Sequence, residues 1–278
     1  MLRELRSALA LGIEQAAFPQ HSRETAGLIL AAGRGTRFGL TSPYPPHKGG
    51  GTGEAMPKVL RPLLGRPMVS YVIETMRAAG VDELALVAGY RADDVIRALG
   101  DGLAYVVQDQ QRGSGDAVKC ATEHFMDFDG ALVVMCGDSP LFRTETVRAM
   151  IDERRDSGAV AVLASAVLDD PTGYGRIVRS RSGAIARLVE EKCASDKERA
   201  IKEVNGGAYV FDSQWLFANI DWMVENQAGE YNLTDMARLA IEQGKCVSAM
   251  RCDPEEILGV NTPEELRLVE GILRRRAS

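Results

Sequence analysis

The sequence predicts an α/β protein with a mixed, mainly parallel sheet and helices on both faces. From Gly27 onward, short apolar runs alternate with stretches of helical periodicity. The runs are apolar throughout, which is typical of strands buried on both faces. The four clearest runs are Leu28–Leu30, Leu84–Val87, Ala104–Val107 and Ala131–Met135. The two clearest helical stretches are Met68–Ala79 and Gly115–Phe125.

The second half of the chain predicts a partly antiparallel extension of the same sheet. Its strand candidates are joined by turn signals such as Ser182-Gly183. These candidates are Val160–Ala164, Ile177–Val178, Ile185–Val189 and Ala208–Phe211. We therefore expect one main domain over residues 26–265.

Two flanking segments and one internal segment do not follow this alternation of strands and helices. Residues 1–25 carry apolar positions at helical spacing, which predicts a helical N-terminal extension. Residues 266–278 are expected to form a C-terminal helix and tail. Residues 40–56 are rich in proline and glycine, which indicates a mobile surface loop.

Composition narrows the classes of function. A formal net charge of -6 argues against binding to nucleic acid or to an anionic membrane surface. The N-terminal region mixes charges among its apolar residues, so it does not resemble a secretory signal. The 5 cysteines show no C-x-x-C spacing and favour reduced thiols in a cytoplasmic protein. Whether the chain forms a homo-oligomer stays open.

The glycine-rich turn after the first strand indicates a phosphate contact. It reads Ala31-Ala32-Gly33-Arg34-Gly35-Thr36-Arg37. Glycines let backbone N–H groups approach a phosphate, and such sites lie at the carboxyl ends of strands. Lys58, in Met56-Pro57-Lys58, would add a second cation beside Arg37. Taken alone, the turn is equally consistent with a structural turn, and Lys58 with a solvated surface lysine.

Together these motifs resemble the signature of the nucleoside-diphosphate-sugar pyrophosphorylases. The chain is most similar to the uridyltransferase domain of the bacterial bifunctional N-acetylglucosamine-1-phosphate uridyltransferase/glucosamine-1-phosphate acetyltransferases, over about Gly27–Glu264. The resemblance implies a Rossmann-like nucleotide-diphospho-sugar transferase fold. Because no hexapeptide-repeat region follows in this sequence, we expect no acetyl transfer from it.

The resemblance assigns expected roles on the nucleotide side. Arg37 and Lys58 would be catalytic residues that hold the triphosphate, and Asp138 with Asn261 would bind Mg²⁺. Asn261 could equally cap the helix that begins at Pro263. Nucleotide contacts are expected from Ala31, Ala32, Gly33, Gly35, Thr36, Gln108, Gly113 and Ser114. Gln108 would read the uracil edge, because a side-chain amide offers both a donor and an acceptor.

The resemblance also assigns a sugar site. Gly175, in Tyr174-Gly175-Arg176-Ile177, Glu190 and Asn205 match residues that contact the sugar. The segment 229–235 matches a family segment beside the sugar pocket. Cys193 and Gly206 depart from the family pattern on this side, and the segment from Arg37 to Lys58 is longer than usual.

The expected activity is therefore cytoplasmic transfer of a nucleotidyl group from UTP to N-acetylglucosamine 1-phosphate or a related hexose 1-phosphate. Two alternatives stay open. One is a nucleotidyltransferase that uses another base or another sugar phosphate. The other is a non-catalytic sensor that binds sugar nucleotides.

Overall fold

The computed structural model describes residues 24–35, 56–81 and 83–277. The predictions for residues 1–23, Thr36, Arg37 and the loop up to residue 55 lie outside the described residues. Within them, one nine-stranded sheet has the central order β11-β7-β10-β6-β1-β4-β5, and the β8–β9 hairpin attaches to β10. These strands are β1 (Thr25–Ala31), β4 (Glu83–Ala88), β5 (Ala104–Val107), β6 (Ala131–Cys136), β7 (Ala161–Val167), β8 (Arg176–Arg179), β9 (Ile185–Val189), β10 (Glu203–Asp212) and β11 (Val247–Arg251). A small antiparallel hairpin comprises β2 (Pro62–Leu63) and β3 (Arg66–Pro67).

The sheet is mixed and mainly parallel, as predicted. Strands β6, β1, β4 and β5 run parallel to one another. Strand β10 pairs antiparallel with β6, β7 and β8, and β11 runs parallel to β7. The sequence therefore predicts both the parallel half and the antiparallel extension.

Helices cover both faces of the sheet. The α-helices of the described residues are α1 (Met68–Ala78), α2 (Ala92–Leu99), α3 (Ser114–Cys120), α4 (Thr144–Ser157), α5 (Asp196–Arg199), α6 (Ser213–Asn219), α7 (Thr234–Glu242) and α8 (Pro263–Ala277). Successive strand residues point to opposite faces, so the sheet contributes to two separate cores. Ile29, for example, packs in one core with α1, α2 and α4, whereas Leu28 packs in the other with α3, α6 and α7.

Two elements differ from the sequence prediction. The helix predicted over Gly115–Phe125 ends at Cys120, where the Thr122 hydroxyl donates to the carbonyl of Lys119 at 2.7 Å. Beyond that point, backbone bonds such as that of His124 N–H to Ala121 O span three residues and form turns instead. Strand β11 was not predicted, because its residues are half-exposed and carry no alternating pattern.

Helix α8 packs its apolar residues Leu266, Val269 and Ile272 on a small third core. Its N-terminus is capped by Thr262, whose hydroxyl accepts from the N–H of Glu265 at 3.2 Å. The Glu265 carboxylate accepts in return from the N–H of Thr262 at 2.9 Å, which completes a capping box. The side chain of Asn261 is therefore not needed as the cap. Among the described residues, the structure has no helix of the length and apolarity required to cross a membrane.

Candidate active site

The carboxyl ends of four parallel strands meet at one edge of the sheet and bring three sequence motifs together there. The N–H of Gly137, just after β6, donates to Leu30 of β1 at 2.9 Å. The N–H of Tyr90, just after β4, donates to Ala32 at 3.1 Å. The N–H of Gln108, just after β5, donates to Ala88 at 2.8 Å. Ligand sites of open α/β sheets lie at this edge.

The glycine-rich turn presents its backbone rather than its side chains. Ala31 and Ala32 are buried, whereas a Cβ atom added at Gly33 would meet nothing within 4 Å. Gly35 has a φ of +63°, and a Cβ there would lie 2.8 Å from Cβ of Lys58. Glycine is therefore required at position 35, because it lets the turn pack closely on the stem of Lys58.

Lys58, Asp138 and Asn261 converge beside this turn. The Lys58 ammonium forms an ion pair with Oδ2 of Asp138 and donates to Oδ1 of Asn261 at 3.1 Å. The side chains of Lys58 and Asp138 are only 12% and 20% exposed. Backbone pairing supports the arrangement, because the N–H of Val260 donates to the carbonyl of Asp138 at 2.9 Å. We call this set, with Ala31–Gly35, the phosphate side.

The same residues fit a magnesium site. A carboxylate and a side-chain amide supply the hard oxygen ligands that Mg²⁺ prefers. The oxygens of Asp138 and Asn261 already contact one cation, the ammonium of Lys58. Nearby, burial first and the charge of Asp138 second raise the pKa of the Cys136 thiol to about 12. That thiol is therefore neutral at physiological pH and does not compete as a ligand.

Gln108 and the segment that follows form a closed hydrogen-bond network. Gln108 is 3% exposed, and its Nε2 donates to Oδ2 of Asp116 at 2.7 Å and to the carbonyl of Gly113 at 3.3 Å. Both amide hydrogens are therefore used within the protein, which leaves Oε1 as the group that can face a base. Gly113 has a φ of +100°, and a side chain there would collide with the backbone of Tyr231.

Segment 229–235 joins this network to the predicted sugar residues. The N–H of Leu233 donates to the Ser114 hydroxyl at 3.0 Å. One residue further on, the Thr234 hydroxyl donates to Oε1 of Glu190 at 2.8 Å. A single short segment thus contacts Ser114 on one side and Glu190 on the other.

Gly175, Glu190 and Asn205 lie together, and we call them the sugar side. A Cβ atom at Gly175 would lie 3.7 Å from both carboxylate oxygens of Glu190. The N–H of Asn205 donates to the carbonyl of Gly175 at 2.9 Å. The pairing of β10 with β7 shifts in register between Asn205 and Tyr209, and this bulge orients the Asn205 side chain. Glycine at position 206 has a steric explanation, because a Cβ atom there would lie 2.7 Å from the side chain of Ile257.

Tyr209 supports the sugar side from the core. Its hydroxyl accepts a hydrogen bond from Nδ2 of Asn205 at 2.7 Å. Burial is the main cause that raises the pKa of Tyr209, and the nearby Cys136 and Glu190 raise it further.

The structure thus brings together the predicted residues that it describes, on two sides of one site. Thr36 and Arg37 lie outside the described residues, so their roles stay predictions. Sequence reasoning missed Tyr209, and it placed no function on Arg176. A tyrosine inside the apolar run Ala208–Phe211 gives only a core signal, so no local pattern could have identified Tyr209.

Comparison with known proteins finds curated relatives by sequence and a similar solved structure. The bifunctional protein GlmU of a Geobacillus species is 39% identical over 251 residues, which are 90% of this chain and 52% of the relative. The bifunctional protein GlmU of Trichlorobacter lovleyi is 38% identical over 258 residues, or 91% of this chain and 53% of the relative. This chain therefore spans about half the length of these curated relatives.

A solved structure from Bacillus anthracis, described as a glucose-1-phosphate thymidylyltransferase in complex with a sucrose, matches with a TM-score of 0.70. It is 23% identical, and the match covers 90% of this chain and 95% of that chain, which confirms the fold. The model of the family described as "MobA-like NTP transferase domain" matches residues 27–204. Since that match covers more than half of the sequence, this chain belongs to the family of MobA-like NTP transferase domains, and hence to the nucleotidyltransferases.

Proposed function

We propose that this protein transfers a uridylyl group from UTP to N-acetylglucosamine 1-phosphate, or to a related hexose 1-phosphate, and releases pyrophosphate. The observation that carries the proposal is the convergence of Lys58, Asp138 and Asn261 beside the glycine-rich turn. Gly175, Glu190 and Asn205 form a second, polar group of residues that is suited to hydroxyl groups. The curated relatives share this region at 38–39% identity, which supports nucleotidyl transfer to a sugar phosphate.

The proposed reaction needs no covalent enzyme intermediate. An oxygen of the sugar phosphate attacks the α-phosphorus of UTP and forms the new P–O bond of the UDP-sugar. The bond between the α-phosphorus and the bridging oxygen breaks, and its electron pair leaves with pyrophosphate. The protein then contributes mainly by positioning both substrates and by neutralising charge.

Lys58 is the residue that this scheme uses for charge. Its side chain is 12% exposed, and its stem packs closely against Gly35 of the turn. A fixed cation in a partly desolvated site stabilises the negative charge that grows on departing pyrophosphate. Arg37 is proposed to add a second cation to the triphosphate, in keeping with its place in the turn.

Asp138 and Asn261 are proposed to hold Mg²⁺, which when bound neutralises phosphate charge. The capping box of Thr262 and Glu265 leaves the Asn261 side chain free for this role. The pairing of Val260 with Asp138 keeps the two ligands adjacent.

For the base, the proposal uses the Gln108 network. Its donors are committed to Asp116 and Gly113, so Oε1 would accept from the uracil N3–H group. Cytosine has no hydrogen at that nitrogen, and a purine is too large for the same contact. Backbone groups of Gly113 and Ser114 would complete the recognition of the base.

For the sugar, the proposal uses Gly175, Glu190 and Asn205. Glu190 is exposed and offers acceptors to hydroxyl groups, and its carboxylate lies beside the Gly175 backbone. A site built from polar groups discriminates strongly, because a mismatched sugar leaves them unpaired.

The test is a matrix of substrates read by pyrophosphate release. UTP, CTP, dTTP, ATP and GTP are each paired with the 1-phosphates of N-acetylglucosamine, glucosamine, glucose and galactose, with and without Mg²⁺. We expect the highest kcat/KM for UTP with N-acetylglucosamine 1-phosphate, and turnover only with Mg²⁺.

Two results would contradict the proposal in different ways. A higher kcat/KM for another pair would reject the substrates but keep nucleotidyl transfer. Binding of UDP-N-acetylglucosamine in calorimetry, without pyrophosphate release from any pair, would instead support the non-catalytic sensor.

A further inference from the structure

Arg176 is a charged residue in an apolar position at the start of β8. It is 1% exposed and is among the largest fully buried side chains of the described residues. Burying a guanidinium is unfavourable unless the charge is paired and its donors are satisfied. Its partners therefore indicate what the residue is for.

The guanidinium binds the loop that precedes Gly175 and the turn that follows Glu190. Its Nη2 forms an ion pair with Oε2 of Glu191 at 2.7 Å, and its Nη1 donates to the carbonyl of Tyr174. The same Oε2 of Glu191 accepts from the N–H of Gly173 at 3.3 Å. The Arg176–Glu191 pair thus ties loop and turn together.

The first residues of this loop are ordered by bonds within the loop itself. The N–H of Thr172 donates to Oδ1 of Asp170 at 3.1 Å, and hydrogen bonds from Thr172 hold the pKa of Asp170 below its ordinary value.

The ion pair is displaced by one residue from the sugar side at two places in the chain, at the start of β8 and in the turn that follows β9. Gly175 precedes Arg176, and Glu190 precedes Glu191. Arg176 also lies opposite Val189 in the β8–β9 register. Because the Arg176 side chain is buried whereas Glu190 is exposed, the pair can hold Gly175 and Glu190 in place from the interior without entering the exposed site.

We infer that Arg176 and Glu191 are positioning residues for the sugar 1-phosphate. This inference rests on the proposed function and deepens it. The pair fixes the position of the Glu190 carboxylate relative to the Gly175 backbone, the two groups that the proposal assigns to one sugar. Its loss weakens recognition of the sugar and leaves recognition of the nucleotide unchanged.

The test compares Glu191→Gln with Glu203→Gln. Both substitutions remove one carboxylate charge on the same hairpin assembly. Glu203 receives two bonds of 2.7 Å from Arg179, and its side chain is 11% exposed against 29% for Glu191. Because its carboxylate is more buried and doubly bonded, Glu203→Gln should loosen the hairpin at least as much as Glu191→Gln does. It therefore controls for effects of general loosening.

The readout is the ratio of the affinities for UDP-N-acetylglucosamine and for UDP, measured by calorimetry. We expect Glu191→Gln to reduce this ratio roughly tenfold, because misplacement by a fraction of an ångström weakens several sugar contacts together. Glu203→Gln should keep the ratio within about twofold. In turnover assays, Glu191→Gln should raise KM for the sugar phosphate and leave KM for UTP unchanged.

The double variant Arg176→Met/Glu191→Leu covers the case in which a single substitution prevents folding, because apolar side chains can replace a buried ion pair. It should fold, by thermal unfolding, and show the same reduced ratio. An unchanged ratio in Glu191→Gln or in the double variant, or an equal loss in Glu203→Gln, would overturn the inference. Absence of turnover in the unmodified protein would reject the proposed function alone, since the affinity ratio still tests the positioning role.

Discussion

The phosphate side and the sugar side are built in different ways. On the phosphate side, strand ends deliver Ala31–Gly35 and Asp138 to one edge, and the charged and amide side chains bond to one another. On the sugar side, side-chain bonds hold each group, as between Asn205 and Tyr209 or between Glu190 and Thr234. Backbone topology thus places the charge, while a side-chain network places the hydroxyl-binding groups.

The difference implies different kinetic signatures. A charged group that acts on the leaving pyrophosphate affects the transition state more than the bound substrate, so its loss lowers kcat. A group that contacts sugar hydroxyls acts in the ground state and the transition state alike, so its loss raises KM for the sugar phosphate. Variants on the phosphate side should therefore lower kcat, and variants on the sugar side should raise KM for the sugar phosphate. A variant that shows the effect expected for the other side would contradict this comparison.

The largest effect is expected from Asp138→Asn. The substitution keeps the size of the side chain but removes the negative charge that pairs with Lys58 and that would hold Mg²⁺. Pyrophosphate release should fall about 1,000-fold, or by about 4 kcal/mol of transition-state stabilisation. The measurement is kcat for UTP at saturating sugar phosphate.

Asp221→Asn is the matched control for this change. Asp221 is exposed and pairs with Lys119 at 2.6 Å, remote from the phosphate side. Its loss should leave kcat within about twofold, as for most surface ion pairs. A fall of less than tenfold in Asp138→Asn would remove Asp138 from the site.

Lys58→Met should lower kcat by about 100-fold, because one fixed cation is lost from the departing pyrophosphate. The variant has a second consequence that does not depend on turnover. Since the ammonium contacts the oxygens of Asp138 and Asn261, it competes with any metal ion for them. Binding of Mn²⁺ without nucleotide, followed by the electron paramagnetic resonance of the free ion, should tighten about fivefold.

Lys119→Met is the control for both measurements, because Lys119 is a half-exposed lysine paired with Asp221. It should change neither kcat nor the affinity for Mn²⁺. If Lys58→Met weakened the binding of Mn²⁺, Lys58 would support the metal ligands rather than compete for them.

Asn205→Ala tests the sugar side. It removes an amide whose Oδ1 accepts from the N–H of Gly207 at 3.1 Å and whose Nδ2 donates to Tyr209. KM for the sugar phosphate should rise about 30-fold, as expected for the loss of about two hydrogen bonds. KM for UTP should not change, and initial rates at varied concentrations of each substrate separate the two constants.

Asn219→Ala provides the control, because both amide groups of Asn219 are also bonded, to Trp215 and Gln243 at 2.8 Å. It removes the same side chain far from the site. A rise in KM for UTP that matched the rise for the sugar phosphate would show that Asn205 does not belong to the sugar side.

Gln108→Leu tests recognition of the nucleotide in the way that Asn205→Ala tests recognition of the sugar. The loss of Oε1 as an acceptor for the base should raise KM for UTP about tenfold and leave KM for the sugar phosphate unchanged. Preference for UTP over CTP should fall with it. Gln214→Leu removes an amide that donates to Phe128 at 3.0 Å, and it should change neither constant.

Much of the fold could be predicted from the sequence, since buried strands such as Ala131–Met135 carry a continuous apolar signal. Edge strand β11 could not, because its half-exposed residues lack that signal. In the site, the sequence predicted the residue types but not their partners. Glu191 rather than Glu190 pairs with Arg176 because of the way β8 pairs with β9. Gln108 has no amide hydrogen left for a ligand because Asp116 accepts one of them.

Tyr209→Phe should have the smallest effect and tests whether the two sides act separately. Burial raises the pKa of Tyr209, so its hydroxyl stays protonated at pH 7–9 and continues to accept from Asn205. Without it, the Asn205 amide loses one neutral hydrogen bond, worth about 1 kcal/mol. KM for the sugar phosphate should therefore rise about fivefold, with kcat nearly unchanged. Tyr105→Phe, which removes a hydroxyl that donates to Gly100 at 2.7 Å, is the control and should have no kinetic effect. A fall in kcat for Tyr209→Phe, rather than a rise in KM, would mean that the tyrosine also acts on the phosphate side, and the two sides would then function as one unit.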